Sequence, residues 1–358
     1  RWELVQQELI CELNTDILTT TPPLEKLIHV LDWIDLDQII PYQKPILGRP
    51  SYDACVIARA FIAKALLGIE QTTDLIERLH HDRTLKRICG FKTFQVLPSP
   101  ATFSRRFADF AESELAKTLH ENFIIKHLND QLIEHICRDA TAIHAREKPI
   151  KVDNRQTSEQ PKRKRGRPKK DVPRPEKEES VISQQRKQNL NTMLAAIPQQ
   201  CNKGTKCNAQ GYKTSWNGYK LHIDTADCGI PISALLSSAS VHDSQLAIPL
   251  SFIRQQRVTN LYDVMDAAYC SQELRQHCAN LNHIPLIDHN PRNGEKIEFC
   301  PVTAIRYNIR SVAERSNARL KDEFGGRTIW VKGAKKVYSH LMFGILVLSI
   351  DQFMRLRE

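Results

Sequence analysis

The sequence has 358 residues, with 51 Lys and Arg against 41 Asp and Glu, a formal net charge of +10 and 41% hydrophobic residues. This size and composition predict two or three domains with hydrophobic cores of their own. The longest apolar run, Leu341 to Ile350, is bounded by His340 and Asp351 and is shorter than the roughly 20 residues of a membrane-spanning helix, so we expect a buried helix. No secretory leader follows Arg1, and a cytoplasmic protein is expected.

Ten cysteines are spread from Cys11 to Cys300, and none forms the two-residue-spaced pairs typical of zinc or redox sites. In a chain of this length they are expected to be reduced thiols. Cys201 and Cys207 come closest to a metal-binding pair. Because no second pair follows at zinc-finger spacing, we do not predict a zinc site.

The first third of the chain has the hydrophobic period of helices. Apolar residues recur every three or four positions from Leu24 to Asp35 and from Tyr52 to Gly68, and helices are also predicted over 73–80 and 84–90. A further helix is predicted to start near Ser99, with Ser99 or Thr102 as its cap. Residues 1–130 are therefore expected to form an all-α domain. A DNA-reading helix-turn-helix and ordinary helix packing fit this pattern equally well.

Positive charge is concentrated in residues 146–180, which contain 13 Lys or Arg, 7 Asp or Glu, five prolines and few large apolar residues. Such a composition predicts a disordered basic insert, which we extend to residues 146–210. Its Arg165-Gly166-Arg167-Pro168 centre resembles an AT-hook, which places two arginines in a narrow A·T-rich minor groove. A solvated charge run or, in a eukaryote, a nuclear import signal remain as alternatives.

Residues beyond 130 alternate between strand and helix patterns. Strands are predicted over 133–142, 218–224, 232–239, 261–267 and 283–287, and helices over 243–256, 271–281, about 307–324 and 337–355. This order predicts an α/β fold: a ribonuclease-H-like mixed sheet covered by helices. Residues 131–145 would be its first strand and residues 211–358 its remainder, with the basic insert looped out between the first two strands.

Two carboxylates lie on otherwise apolar predicted strands, at Asp139 and Asp266. A buried carboxylate is costly unless it is paired or bound to metal, and the divalent cations of phosphodiester chemistry prefer oxygen ligands. Asp263 is the alternative acid of the second strand, but it is expected to face the other side of the sheet. We favour Asp266, which lies nearer the carboxyl end of its strand.

A third acid, Glu314, lies in a predicted helix without Pro or Gly that runs from Tyr307 to Lys321. At about 100° per residue, Arg310, Glu314 and Lys321 fall within about 60° of Tyr307 on the helix surface. Such a face, with one carboxylate, two cations and a phenol, suits a metal site crossed by phosphates. An exposed helix with an ordinary Arg310–Glu314 ion pair is the alternative.

The spacing Tyr307-x2-Arg310-x3-Glu314-x6-Lys321 matches all four positions of the Tyr-Arg-Glu-Lys signature of a large group of bacterial insertion-sequence DDE transposases. Other stretches are also similar to segments of that group, in the same order along the chain. They are Gly48-Arg49-Pro50-Ser51-Tyr52, Asp139-Ala140-Thr141, Asn217-Gly218-Tyr219-Lys220-Leu221-His222, Val241-His242-Asp243-Ser244 and Asp266-Ala267-Ala268-Tyr269. The resemblance covers about residues 24–350.

The resemblance implies that Asp139, Asp266 and Glu314 hold two Mg²⁺ or Mn²⁺ ions. Arg310 and Lys321 would bind DNA near the cleaved strand, and Tyr307 would help to position it. His242 and Asp243 could lie near the site, but no catalytic role is assigned to them.

The resemblance also implies a DNA transposase that binds the terminal inverted repeats of its element and target DNA, forms a homodimer on DNA, and acts in the bacterial cytoplasm. The basic insert lengthens the separation between the first two acids. The short separation from Asp266 to Glu314 leaves no room for a large inserted domain. A non-catalytic DNA-binding protein derived from a transposase, and a nuclease of the same fold without strand transfer, are the alternatives.

Overall fold

The computed structural model describes residues 2–14, 20–41, 52–92, 94–150, 179–207, 210–291 and 295–357. In these residues, eight helices precede the first strand: α1 Trp2–Asn14, α2 Pro22–Asp32, α3 Leu36–Ile39, α4 Ala54–Leu66, α5 Thr72–His81, α6 Arg83–Ile88, α7 Pro100–Glu112 and α8 Leu115–Leu128. The predicted N-terminal helices are confirmed within a few residues. Ser99 caps α7, because its Oγ accepts a hydrogen bond from the backbone N–H of Thr102 at 3.3 Å. Residues 48–51 of the predicted Gly-Arg-Pro-Ser-Tyr segment lie outside the described residues.

The described strands form one mixed sheet: β1 Leu132–His144, β2 Asn202–Cys207, β3 Lys213–Ala226, β4 Pro231–Ser238, β5 Thr259–Met265 and β6 Ile284–Ile287. The central strand, β1, is antiparallel to β3 on one side and parallel to β5 on the other. β6 extends the parallel part, whereas β2 and β4 both pair with β3, along its first and second halves. The five predicted strands are confirmed, and β2 is an additional one.

Helices cover both faces of this sheet, as expected for a mixed α/β fold. The helices that follow β1 are α9 Val181–Gln185, α10 Leu190–Ala196, α11 Ala247–Gln255, α12 Gln272–Asn280, α13 Pro301–Tyr307, α14 Ser311–Asp322 and α15 Ala334–Arg355. On one face, Met265 packs with Ile248 of α11 and Leu274 of α12. On the other face, Val264 packs with Ala313 of α14. Neighbouring residues of β5 thus point to opposite layers.

The last helix, α15, contacts β4 together with α4, α7 and α8, so the N-terminal helices and the sheet share one hydrophobic core. Every residue from Leu341 to Ile350 is buried, as predicted. By length and composition alone α15 could cross a membrane, but 78% of its most apolar window is buried inside the protein. This burial is what the core helix of a globular protein shows.

The predicted disorder of the insert is wrong for residues 179–207, which form α9, α10 and β2. Met193 of α10 is buried beside α11 and α12, and Ile182 and Leu190 pack against it. These apolar residues lie beyond the basic, Pro-rich stretch on which the prediction rested, and they supply the buried face that the stretch lacks. Residues 151–178, with the AT-hook-like Arg165 and Arg167, lie outside the described residues.

The prediction of one continuous helix from Tyr307 to Lys321 is also wrong. Tyr307 ends α13, a 3₁₀ turn covers Asn308–Arg310, and α14 begins at Ser311. The break lies where the chain crosses β1, and there the Cys137 thiol donates a hydrogen bond to the carbonyl oxygen of Ile309 at 3.4 Å. The angular positions calculated for one helix therefore hold between Glu314 and Lys321, but not between either residue and Tyr307.

Candidate active site

Asp139 and Asp266 occupy adjacent positions on two neighbouring parallel strands. The β1–β5 register pairs Arg138 with Met265, so the next residues along both strands are Asp139 and Asp266. Asp266 follows the last residue of β5 and still has an extended backbone, with φ −77° and ψ 176°. Because neighbouring strands lie about 4.8 Å apart, the two carboxylates lie side by side on one face of the sheet.

Helix α14 covers the face that carries these two acids. Cys137, two residues before Asp139, packs with Ala313 of α14. From the same helix, Asn317 donates a hydrogen bond from Nδ2 to Oδ2 of Asp139 at 2.9 Å. Asp266 is fixed locally, since its Oδ1 accepts from the backbone N–H of Ala268 at 2.9 Å. Both carboxylates therefore have defined positions.

Burial raises the pKa of both carboxyl groups above the ordinary value. For Asp139, the negative charge of Asp266 adds to the rise in pKa, whereas the backbone N–H of Ala140 and the charges of Arg310 and Lys206 oppose it. For Asp266, burial is again the largest cause, and Asp243 adds to the rise in pKa. The site thus holds negative charges close together at an energetic cost that a cation would offset.

Glu314 lies near this pair but binds Arg310. The Arg310 Nη2 donates a hydrogen bond to Glu314 Oε1 at 2.5 Å, and the Glu314 side chain is 56% exposed. Within the described part of the chain, no group of three or more His, Cys, Asp or Glu side chains is arranged to hold a metal ion. The structure therefore brings Asp139 and Asp266 together, while the third predicted acid is engaged by a cation.

Arg310, Tyr307 and Lys321 all lie within electrostatic range of the predicted acids. Both Asp139 and Asp266 act on the pKa of Arg310. Burial raises the pKa of the Tyr307 hydroxyl to about 12, and its ring packs against Phe299 with centroids 4.9 Å apart. The pKa of Lys321 is lowered, first by burial and then by neighbouring cations that include Lys206. Arg310 and Lys321 therefore place positive charge beside the two aspartates.

Asp263 belongs to a separate charge network on the opposite face. It is buried, and its Oδ1 lies 2.7 Å from Nη1 of Arg254. Arg138 binds Asp224 through Nε at 2.7 Å and Nη2 at 2.8 Å in the same layer. Arg254 and a hydrogen bond from His283 overcome the effect of burial and hold the pKa of Asp263 far below its ordinary value. The predicted separation of Asp263 from Asp266 by face is confirmed.

Two of the stretches that resemble the transposase group, residues 217–222 and 241–244, contact each other beside Asp139 and Asp266. Lys220 of β3 donates hydrogen bonds from Nζ to Oδ1 of Asp243 at 2.8 Å and to the carbonyl oxygen of Val241 at 2.9 Å. The cap of the following 3₁₀ turn is His242, whose Nδ1 lies 3.4 Å from the backbone nitrogen of Ser244. Asp243 is therefore an ion-pair partner of Lys220 that also acts electrostatically on Asp266.

Asn317 and Lys206 are site residues that the sequence interpretation left out, whereas Asp243 lies near the site as that interpretation allowed. Asn317 had a usable signal, because it follows Glu314 by three residues and so lies about 60° away on the same helix. Lys206 had none, since the strand that carries it, β2, was assigned to the disordered insert. Its position depends on pairing with β3.

Comparison with known families agrees with this architecture. A family model described as Transposase DDE domain matches residues 130–350, and one described as Transposase domain (DUF772) matches residues 13–109. The chain therefore belongs to the DDE transposase domain family, of the insertion-sequence type. No curated protein and no solved structure matches it significantly.

Proposed function

We propose that the protein is a DNA transposase that binds the ends of its own mobile element, cleaves a strand there and joins the freed end to target DNA. The observation that carries the proposal is the placement of Asp139 beside Asp266 on one face of the sheet, under a helix that bears Glu314. The strand order, with β1 flanked by antiparallel β3 and parallel β5, supports the ribonuclease-H-like form of the fold.

The residues present fit a pair of divalent cations. Carboxylate oxygens are the ligands that Mg²⁺ and Mn²⁺ prefer, and burial together with a neighbouring acid raises the pKa of both aspartates, which a bound cation would oppose. Asp139 and Asp266 would hold the ions, and Glu314 would join them after leaving Arg310. When bound, such ions activate a water molecule and stabilise the charge on the leaving oxygen.

The remaining groups would position the DNA. Arg310 and Lys321 border the acids and would bind backbone phosphates, and the half-buried Tyr307 would hold the strand in place by packing. Arg310 released from Glu314 would gain a phosphate partner, so the exchange keeps both charges paired. Arg165 and Arg167 would add contacts in the minor groove.

Synapsis of two element ends requires at least two copies of the chain on DNA, so we propose a homodimer. The N-terminal helices would bind DNA as well, in keeping with the second transposase family that matches there. In a bacterium such a protein would act on the nucleoid in the cytoplasm.

The deciding experiment uses duplex DNA with the inverted repeats that bracket the coding region. Wild-type protein with Mg²⁺ should cleave the repeat end and then form strand-transfer products, and Asp266→Ala should do neither while still binding the DNA. Equal cleavage by both proteins would overturn the assignment of Asp266. Cleavage without joined products would indicate a nuclease, and DNA binding without cleavage by the wild type would indicate a non-catalytic binder.

A further inference from the structure

Asn317 is the polar side chain that joins α14 to the first acid. It is 6% exposed, and its Nδ2 lies 2.9 Å from Oδ2 of Asp139. The other end of the same amide, Oδ1, is buried and has no hydrogen-bond partner among the described residues. Asn317 therefore makes one specific contact, with a carboxylate of the proposed site, while half of its hydrogen-bonding capacity is unused.

A purely structural role explains this arrangement poorly. A buried amide oxygen without a partner is destabilising, and leucine, which has a similar shape, would fill the same space without that cost. Packing alone would therefore favour an apolar residue at position 317.

The contact also fixes the orientation of the amide. An ionised carboxylate only accepts hydrogen bonds, so Asp139 can face Nδ2 but not Oδ1 of the amide. The hydrogen bond in turn prevents the carboxylate of Asp139 from rotating freely about its Cβ–Cγ bond. Both side chains are thus held in one orientation by a single charge-assisted bond.

We propose that Asn317 is a positioning residue, which holds the Asp139 carboxylate in the orientation needed to bind a divalent cation. Asn317 and Glu314 are three residues apart on α14, so one rigid helix carries the third acid and also fixes the first. The hydrogen bond thus ties the first acid, on β1, to the helix that carries the third. This inference rests on the proposed function, because it assumes that Asp139 is a metal ligand.

The test measures Mn²⁺ binding without DNA, by electron paramagnetic resonance, for the full-length protein and its variants. Asn317→Leu should bind Mn²⁺ about 10- to 100-fold more weakly than wild type, as loss of a ligand's hydrogen-bond partner typically does. Asn317→Ala, which adds no bulk, should show the same loss and serves if the leucine variant fails to fold. Ser316→Ala is the matched control. Ser316 is buried on the same helix but donates to the carbonyl oxygen of Gly229, so its variant should bind Mn²⁺ as wild type does.

A double-mutant cycle separates positioning from general loosening of the helix. In an Asp139→Ala background, Asn317→Leu should cause no further loss of Mn²⁺ affinity, because the residue acts through Asp139. Wild-type Mn²⁺ affinity in both Asn317 variants, or an equal further loss in the Asp139→Ala background, would overturn the inference and leave the proposed function intact. If the wild type neither binds Mn²⁺ nor cleaves DNA, the proposed function fails as well.

Discussion

The Nη2 atom of Arg310 donates a hydrogen bond to Oε1 of Glu314, 2.5 Å away and four residues further along the chain. Asp139 and Asp266, both half-buried, also raise the pKa of Arg310, so its guanidinium is a local counter-ion for all three acids. This contact makes Glu314 the one predicted ligand that must change partner before it can bind a cation.

Replacing Glu314 by Gln should affect activity far more than stability. The Glu314 side chain is 56% exposed and that of Arg310 26%, and solvent-accessible pairs of this kind contribute about 1 kcal/mol or less to the free energy of unfolding. Loss of a metal ligand, in contrast, should lower the Mg²⁺-dependent cleavage rate by about 100-fold or more. Urea denaturation and cleavage of element-end DNA measure the two effects.

Glu323→Gln is the matched control for that substitution. Glu323 forms the same kind of pair, with Arg319 four residues earlier, at 3.0 and 2.9 Å. It should lose similarly little stability and retain wild-type cleavage. If Glu314→Gln and Glu323→Gln cleave DNA equally well, Glu314 is not a ligand.

Asp263 and Asp266 lie only three residues apart, but neutralising them should have different effects: one substitution should lower stability and the other should abolish cleavage. Asp263→Asn removes the nearer carboxylate of the buried Arg254, 2.7 Å away, and leaves it only Asp224 at 3.5 Å, which should cost about 3–5 kcal/mol of unfolding free energy. Asp266→Asn removes a negative charge that burial and the nearby Asp243 disfavour, so the metal-free protein should not lose stability, but cleavage should disappear. Urea denaturation in EDTA measures the stability of the two variants, and the cleavage assay measures their activity. Equal losses of unfolding free energy in the two variants would contradict the prediction.

The Asp263 network also predicts a specific pH dependence. Because the folded protein lowers the pKa of Asp263, the contribution of its carboxylate is fully present above the ordinary carboxyl pKa of about 4 and is lost as the pH falls through the lowered value. The difference in unfolding free energy between wild type and Asp263→Asn should therefore be constant from about pH 5 to 8 and shrink only in stronger acid. Urea titrations across this range measure it, and a difference that shrinks near neutral pH would contradict the prediction.

The sequence predicts most of the fold because the elements have clear hydrophobic periods. Alternating apolar residues mark β1 and β5, and their parallel pairing follows from the intervening hairpin and helix. Even the separation of Asp263 from Asp266 can be worked out from the alternation of side chains along a strand. Local patterns of this kind do not depend on distant contacts.

The errors arise where distant contacts decide the structure. Met193 makes α10 part of the fold only by packing beneath α11 and α12, which are more than fifty residues away in sequence. The break before Ser311 lies where the chain crosses Cys137 of β1, and no Pro or Gly marks it. The hydrogen bond from Asn317 to Asp139 joins residues from opposite ends of the domain. A single sequence gives no direct sign of such pairings.

The AT-hook-like segment predicts a change in the salt dependence of DNA binding. Replacing Arg165 and Arg167 by Ala should reduce the slope of log affinity against log salt by about 2, since each phosphate contact contributes about 0.9 to it. The variant should also lose preference for A·T-rich over G·C-rich duplexes. Lys169→Ala with Lys170→Ala removes the same charge and should keep that preference. Equal A·T preference in wild type and the arginine variant would mean that Arg165 and Arg167 contribute only nonspecific charge to DNA binding.

Gly218 is a position where even alanine should be poorly tolerated. Its φ is +151°, and an added Cβ would lie 2.1 Å from the carbonyl oxygen of Ile143 and 2.8 Å from the nitrogen of Ala145. Both contacts are backbone atoms at the end of β1, so neither can move away cheaply. Gly218→Ala should therefore lower the unfolding free energy by roughly 2–5 kcal/mol, and it should also slow cleavage, because β1 carries Asp139.

Gly211→Ala separates the steric contact from the backbone conformation. Gly211 also has a positive φ, +86°, but an added Cβ there would meet no atom within 4 Å. This variant should lose only about 1–2 kcal/mol, the usual cost of a left-handed backbone for a residue with a Cβ. Urea denaturation of both variants measures the difference. Equal losses of unfolding free energy would mean that the contact with β1 is not what requires glycine at position 218. The backbone of β1, which carries Asp139, would then be able to shift to accommodate a Cβ.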